Sequence, residues 1–261
     1  MPPLAQRTHP VVRGFNRAAE TYERGRPDYP LAAVDWLSRV LRLSEGTTVV
    51  ELGSGTGKLT RLLARTRAAR IAIEPTAGMR RVFERTVPEV PVLDGTAEAI
   101  PLPDGFADAV VAAQAFHWFN PRRAIPEIAR VLRPRGGLGL VWNLRDDTVD
   151  WSRRLTEIID GYREAHRIPR TRDRSWRPVF ERDDSPFGPL RIRVFSHLQR
   201  APRETFVSRI LSVSVIAVLP ASERRKVADR VRTVLQSDPS TRGRRVVELP
   251  YRTEVYWTHR A

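Results

Sequence analysis

The chain has 261 residues, 41% of them hydrophobic, enough for one substantial core with an accessory layer rather than two full domains. It contains no cysteine, which excludes disulfides, thiolate zinc sites and cysteine nucleophiles; no run approaches a membrane span, and the opening MPPLAQRTHPVVRG lacks the apolar block of a secretory signal, so a cytoplasmic protein is expected. The formal charge of +15 is almost all arginine, Lys58 and Lys226 being the only lysines; the bases are interleaved with acids and form no long block, which favours a solvated surface over a nucleic-acid footprint.

In chain order, residues 12–22 read as a helix that RPDYP at 26–30 ends sharply, so 1–30 is expected to form a helical lid outside the core. From 31 to 146 short β-branched runs alternate with helical segments, the pattern of a parallel sheet with crossover helices. The strands are 47–52 (TTVVEL), 70–74 (RIAIE), 90–93 (VPVL), 107–113 (ADAVVAA) and 139–143 (GLVWN), each ending where glycine, proline or polar residues begin. The rest, 147–261, is expected to complete the same domain: a helix at 151–166, a charged and proline-rich insertion or mobile loop at 169–189, helices at 203–218 and 221–235, and two strands at 190–198 and 246–257 forming an antiparallel edge. The predicted fold is α/β: a doubly wound, mostly parallel, seven-stranded sheet with its last strand antiparallel and helical lid insertions. Ligands are expected at the carboxyl ends of the strands.

The most informative segment is 49–60 (VVELGSGTGKLT), where a strand runs into a glycine-rich turn and then a helix. Gly53, Gly55 and Gly57 permit backbone angles closed to other residues, and the helix amino terminus offers free amides to a ligand. A Walker-type phosphate loop needs glycine where Leu52 stands and Ser or Thr where Leu59 stands, so that motif is excluded. A dinucleotide loop has its third glycine one residue later, which leaves a nicotinamide cofactor as the weaker alternative.

The run 51–57 (ELGSGTG) resembles the first motif of class I S-adenosylmethionine-dependent methyltransferases. The resemblance extends to GTAE at 95–98, QAFHWF at 114–119 and IARVLRPRG at 128–136, and departs at Arg135, where a glycine pair usually begins. Within the family it is closest to the methyltransferase-11 type and the trans-aconitate methyltransferase-like branch, on FNRAAETY at 15–22, RPDYP at 26–30 and AQAFHWF at 113–119. The resemblance implies that S-adenosylmethionine is the cofactor and that the last strand inserts between the fifth and sixth. It implies cofactor contacts from Tyr22, Arg26, Glu51, Gly53, Ser54, Gly55, Glu74, Met79, Thr96, Ala97, Glu98 and Gln114, with Glu74 on the ribose hydroxyls and Met79 on the adenine. Many relatives carry aspartate at the position of Thr96.

Methyl transfer from a sulfonium is an in-line displacement with an activated donor, so a base is needed only for an acceptor protonated at neutral pH. His117, near the end of the fourth strand, is the candidate catalytic base; the alternative is a packing residue beside Trp118 or a contact to the cofactor backbone. Tyr29, Phe116 and Trp118 are the candidate substrate residues: Tyr29, with Tyr22 and Arg26, forms a lid over the methionine carboxylate and the acceptor, or else the aromatics pack the first helix and Arg26 is solvated, while Phe116 and Trp118, with Phe119, line an apolar acceptor pocket or else belong to the core. Residues 210–219 (ILSVSVIAVL) either roof that pocket or form a buried helix. Four further histidines, His9, His166, His197 and His259, are expected to be structural, and no metal is implied. The leading reading is methylation of a small molecule. The competitors are a nucleic-acid methyltransferase, a protein that binds the cofactor without methylating, and a nicotinamide dehydrogenase. Oligomeric state is not legible.

Overall fold

The computed structural model describes residues 19, 20, 22, 23, 25–165 and 174–261. One seven-stranded sheet runs through the molecule in the order β3-β2-β1-β4-β5-β7-β6. Its strands are β1 (Thr48–Leu52), β2 (Ala69–Ile73), β3 (Val92–Leu93), β4 (Ala107–Ala113), β5 (Leu132–Arg145), β6 (Arg191–Pro202) and β7 (Val246–His259). The first five are parallel, and β7 lies antiparallel between β5 and β6, as expected.

Parallel strands covered on both faces need apolar residues at nearly every position, and β4 (ADAVVAA) supplies them. Because successive side chains alternate faces, Ala109, Val111 and Ala113 meet one layer of helices, while Val110 and Ala112 meet the other. The first layer includes α1 (Leu31–Val40), whose Ala33, Val34 and Leu37 form one apolar stripe. The second includes α4 (Pro121–Val131), through Ala124, Ile125 and Ile128. Between them in the chain come α2 (Lys58–Leu63) and α3 (Ala77–Thr86). A separate apolar cluster joins α5 (Asp150–Ala165), α6 (Arg203–Leu211), α7 (Ser214–Ala217) and α8 (Ala221–Ser237) to the start of β7.

Three local expectations are corrected. The fifth strand starts at Leu132 rather than Gly139, because an irregular stretch carrying Arg135 at φ 64° lets the chain pair with β4 earlier. That left-handed position is one glycine favours. The helix expected over 203–218 breaks at Ser212 and Val213: the Ser212 hydroxyl donates to the Arg209 carbonyl at 2.7 Å, and Val213 is extended. Finally, the part of 169–189 that is described is no loose loop. Trp176, Phe180 and Phe187 are buried, and Trp176 stacks on Trp142 at 4.6 Å, so apolar area holds the segment where periodicity is lacking.

Of the expected helix at 12–22, the described residues Ala19, Glu20 and Tyr22 are helical and the rest lie outside the described set, as do His9, His166 and 169–173. Among the described residues no helix is long and apolar enough to cross a membrane.

Candidate active site

The glycine loop is built by the end of β1 folding back on β2. Gly53 and Ser54 donate their backbone N–H groups to the Ile73 carbonyl at 2.8 and 3.2 Å. Gly53 (φ 64°) lies so close to Ala115 that a Cβ there would come within 2.7 Å of the alanine methyl. Glu74, immediately beyond β2, is buried and accepts N–H bonds from Gly55 and Thr76, each at 2.9 Å. Burial pushes its carboxyl up from 4.5 while those bonds pull it back. One oxygen serves each amide, so both keep acceptor capacity for further donors. Glu51, also buried, accepts the Thr60 hydroxyl, and burial pushes it up to about 8. The Ser54 hydroxyl is buried and has no hydrogen-bond partner among the described residues.

The segment before α1 closes over this loop. Asp28 pairs with Lys58 at 3.1 Å, and Glu23 pairs with Arg61 at 2.9 Å and accepts the Thr56 hydroxyl at 2.5 Å. The Asn143 amide donates to the Asp28 carbonyl at 3.2 Å, and Arg209 donates to the Gly25 carbonyl at 3.3 Å. Beneath lies a cavity of about 30 Å³ whose lining includes Tyr22, Arg26, Tyr29, Glu51, Gly53, Ser54, Gly55 and Gln114.

A second cavity, of about 470 Å³, opens on the other side of Arg26, Gln114, Asn143 and Arg209, which line both. Gln114 ends β4 with φ 56°, unusual for a residue with a side chain, and its side-chain amide donates to the Asn143 carbonyl at 2.9 Å. Asn143 in turn accepts the Thr253 hydroxyl at 2.6 Å. Six arginines and four acids line the larger cavity. Several of the acids are already engaged: Glu254 by Arg174 and Tyr256, Asp146 by Thr148, Asp147 by Thr156. Arg145 bonds the Thr156 hydroxyl at 2.9 Å, and burial lowers its pKa. Arg209 is 2% exposed, and burial, with Arg26 and Arg145 nearby, lowers its pKa to about 9.

The expected site residues divide. Tyr22, Arg26, Glu51, Gly53, Ser54, Gly55 and Gln114 converge on the smaller cavity, and Glu74 binds the loop from behind. Tyr29, expected at the acceptor, faces the glycine loop. Met79 is buried with Ala19 and Val82 and packs against Tyr22. On the turn after β3, the Thr96 hydroxyl is buried without a partner, Ala97 joins the core, and Glu98 accepts the Asn120 N–H at 2.7 Å.

Phe116 corrects the apolar-pocket expectation. It is fully buried, packed edge-on against Trp176 at 5.7 Å, and lines neither cavity. Trp118 and His117 share its turn and also line neither. His117 Nδ1 accepts the Trp142 indole N–H at 3.3 Å, and burial, with Arg163 and Arg26, lowers its pKa to about 3. That geometry matches the packing alternative. His197 bonds Thr253 at 3.2 Å and stacks on Tyr251. Among the described residues no cluster of three His, Asp or Glu is placed to hold a metal.

Asn143, Arg145 and Arg209 went unseen in the sequence. A polar residue closing a predicted parallel strand was a usable signal for Asn143. Arg209 carries none, being one of many arginines, here inside an amphipathic helix.

Comparison with known proteins agrees with this construction. The family described as methyltransferase domain matches residues 50–140. An uncharacterised methyltransferase of Mycobacterium tuberculosis is 40% identical over 239 residues, 92% of each chain, and a methyltransferase-like protein of Schizosaccharomyces pombe is 35% identical over 246 residues, 94% of each. Among solved structures, a protein named as a type II methyltransferase from Anaeromyxobacter dehalogenans shares the fold with a TM-score of 0.64 at 24% identity, over 90% of this chain and 97% of its own. The glycine loop on β1, the acid after β2, the reversed seventh strand and these relatives together establish that the chain belongs to the class I S-adenosylmethionine-dependent methyltransferases.

Proposed function

We propose that this methyltransferase transfers the methyl group of S-adenosylmethionine to an anionic small molecule held in the larger cavity. The carrying observation is the junction: Arg26, Gln114, Asn143 and Arg209 line both cavities, and the larger one is rich in arginine. Its volume of about 470 Å³ suits a metabolite.

The residues fit the cofactor. Glu74 keeps acceptor capacity for a ribose diol, the Ser54 and Thr96 hydroxyls are buried and unpartnered, and Arg26 is placed to pair a carboxylate. When bound, S-adenosylmethionine supplies a methyl group already activated on a cationic sulfur. The chain then has to align the acceptor and exclude water. Gln114 and Asn143 orient by hydrogen bonding and exchange no protons near neutrality, and His117 is outside the cavities. In this reading the acceptor attacks with a lone pair that is free at neutral pH, and His117 is not its base. In this reading residues 1–30 act as the lid, 31–146 hold the cofactor and 147–261 build the acceptor roof.

The test is calorimetric titration with S-adenosylhomocysteine and NAD, followed by an acceptor screen of carboxylates, amines, phenols and an oligonucleotide. Binding of the sulfur nucleoside, its loss by about 100-fold in Glu74→Ala, and turnover confined to anions are expected. Preference for NAD would refute the cofactor assignment. Turnover of amines or oligonucleotides would refute the acceptor assignment, and binding without any turnover would leave a cofactor-binding protein.

A further inference from the structure

Arg209 is a buried cation in an unusual position. It is 2% exposed, and among the described residues no carboxylate lies within ion-pair distance of it, its Nε lacks a hydrogen-bond partner, and its one side-chain hydrogen bond runs to the Gly25 carbonyl at 3.3 Å. Its guanidinium lies 4.8 Å from the Tyr251 ring, which offers the charge only a partial substitute for an anion. Burying an unpaired charge is unfavourable, and of the five other arginines that line the same cavity beside four acids, two act on Arg209: Arg145 at the end of β5, and Arg26 on the segment that closes over the glycine loop.

The three do not belong to the same part of the molecule. Arg145 and Arg209 are fixed in the body, by the Thr156 bond and by packing in α6. Arg26 adjoins Gly25, whose backbone touches Arg209 so closely that a Cβ on Gly25 would lie 3.3 Å from the Arg209 Cα. Closing the segment therefore brings a third guanidinium up to two buried ones. An anion between them turns that repulsion into a cross-link from lid to body.

We propose that the lid is anion-gated: an acidic ligand in the larger cavity bridges Arg26 to Arg145 and Arg209 and thereby holds residues 25–29 closed over the glycine loop. The inference rests on the acceptor reading above and deepens it into an order of events. Because the closed segment also covers the smaller cavity, binding of the anion and binding of the sulfur nucleoside are linked, each changing the other's affinity by the same factor. Carbonyl and amide contacts at Gly25 and Asp28 place the closed position, and the anion sets its population.

The probe is sodium malonate against sodium chloride at equal ionic strength, with the full chain. In hydrogen exchange, malonate alone slows the amides of residues 25–29, and Arg209→Gln and Arg145→Gln each abolish that protection. In calorimetry, malonate shifts S-adenosylhomocysteine binding by about tenfold, and the shift vanishes in either variant. Unchanged exchange at 25–29 in the wild-type chain overturns the proposal, as does a malonate effect that survives in both variants. If S-adenosylhomocysteine fails to bind while malonate still protects 25–29, the cofactor reading falls and the gate stands. Should Arg209→Gln not fold, the wild-type measurement and Arg145→Gln decide the question.

Discussion

The two halves of the site treat charge in opposite ways. Around the glycine loop the buried titratable groups are carboxyls with partners: Glu74 accepts two backbone amides, and Glu51, which burial keeps protonated at neutral pH, bonds Thr60. In the acceptor cavity the buried charges are guanidiniums with few partners, Arg209 above all. The first half is held by short, fixed contacts and leaves the hydroxyls of Ser54 and Thr96 without a partner among the described residues. The second is incomplete without an anion, so its stability and its function pull against each other.

The largest expected effect tests the rigidity of the first half. Gly57 has φ 85°, and a Cβ there would meet Val87 at 2.5 Å, so Gly57→Ala is expected to lower stability by about 3 kcal/mol in urea unfolding. Gly55→Ala, at φ 57° with nothing within 4 Å, should lose only about 1 kcal/mol, for the backbone angle alone. Equal losses would mean that packing does not set the loop.

Glu51 sharpens the contrast through pH. Its folded pKa of about 8 stands above the ordinary 4.5, so between those values the folded chain keeps a proton that the unfolded chain has released. Stability then falls as pH rises from about 5 to about 8, by on the order of 3 kcal/mol. Glu51→Gln, which mimics the protonated form, should flatten that slope; an unchanged slope places the titration elsewhere.

The acceptor half should show the reverse of an ordinary core mutation. Arg209→Met removes an unpaired buried charge and is expected to raise stability by about 1 kcal/mol in the same unfolding assay, while turnover of an anionic acceptor drops. A loss of stability would show that the Gly25 bond outweighs the charge. The smallest effect belongs to His117. With its pKa lowered to about 3 it stays neutral across pH 5–8, so the rate profile should lack its inflection, and His117→Gln should reduce kcat by less than about tenfold. A larger loss, with a lost inflection, would restore it as a base.

The same division separates what was legible in the chain. Residues 47–60 announce a strand, a glycine turn and a helix because backbone freedom and β-branching are local properties, and Glu74 follows from the end of the next strand. The succession of the parallel strands along the chain was equally readable, since each apolar run is bounded by turn residues. Phe116 misled because an aromatic after a strand looks the same whether it faces a pocket or a core. Trp176, sixty residues later and in a stretch without periodicity, decided that it faces a core. The local sequence by itself determined the cofactor loop, the parallel core and the family resemblance, because each depends on neighbours within a few residues. Only the tertiary structure decided that Arg26, Arg145 and Arg209 line one cavity, because their meeting depends on the reversed β7 and on helices that pack a long way along the chain from the loop they complete.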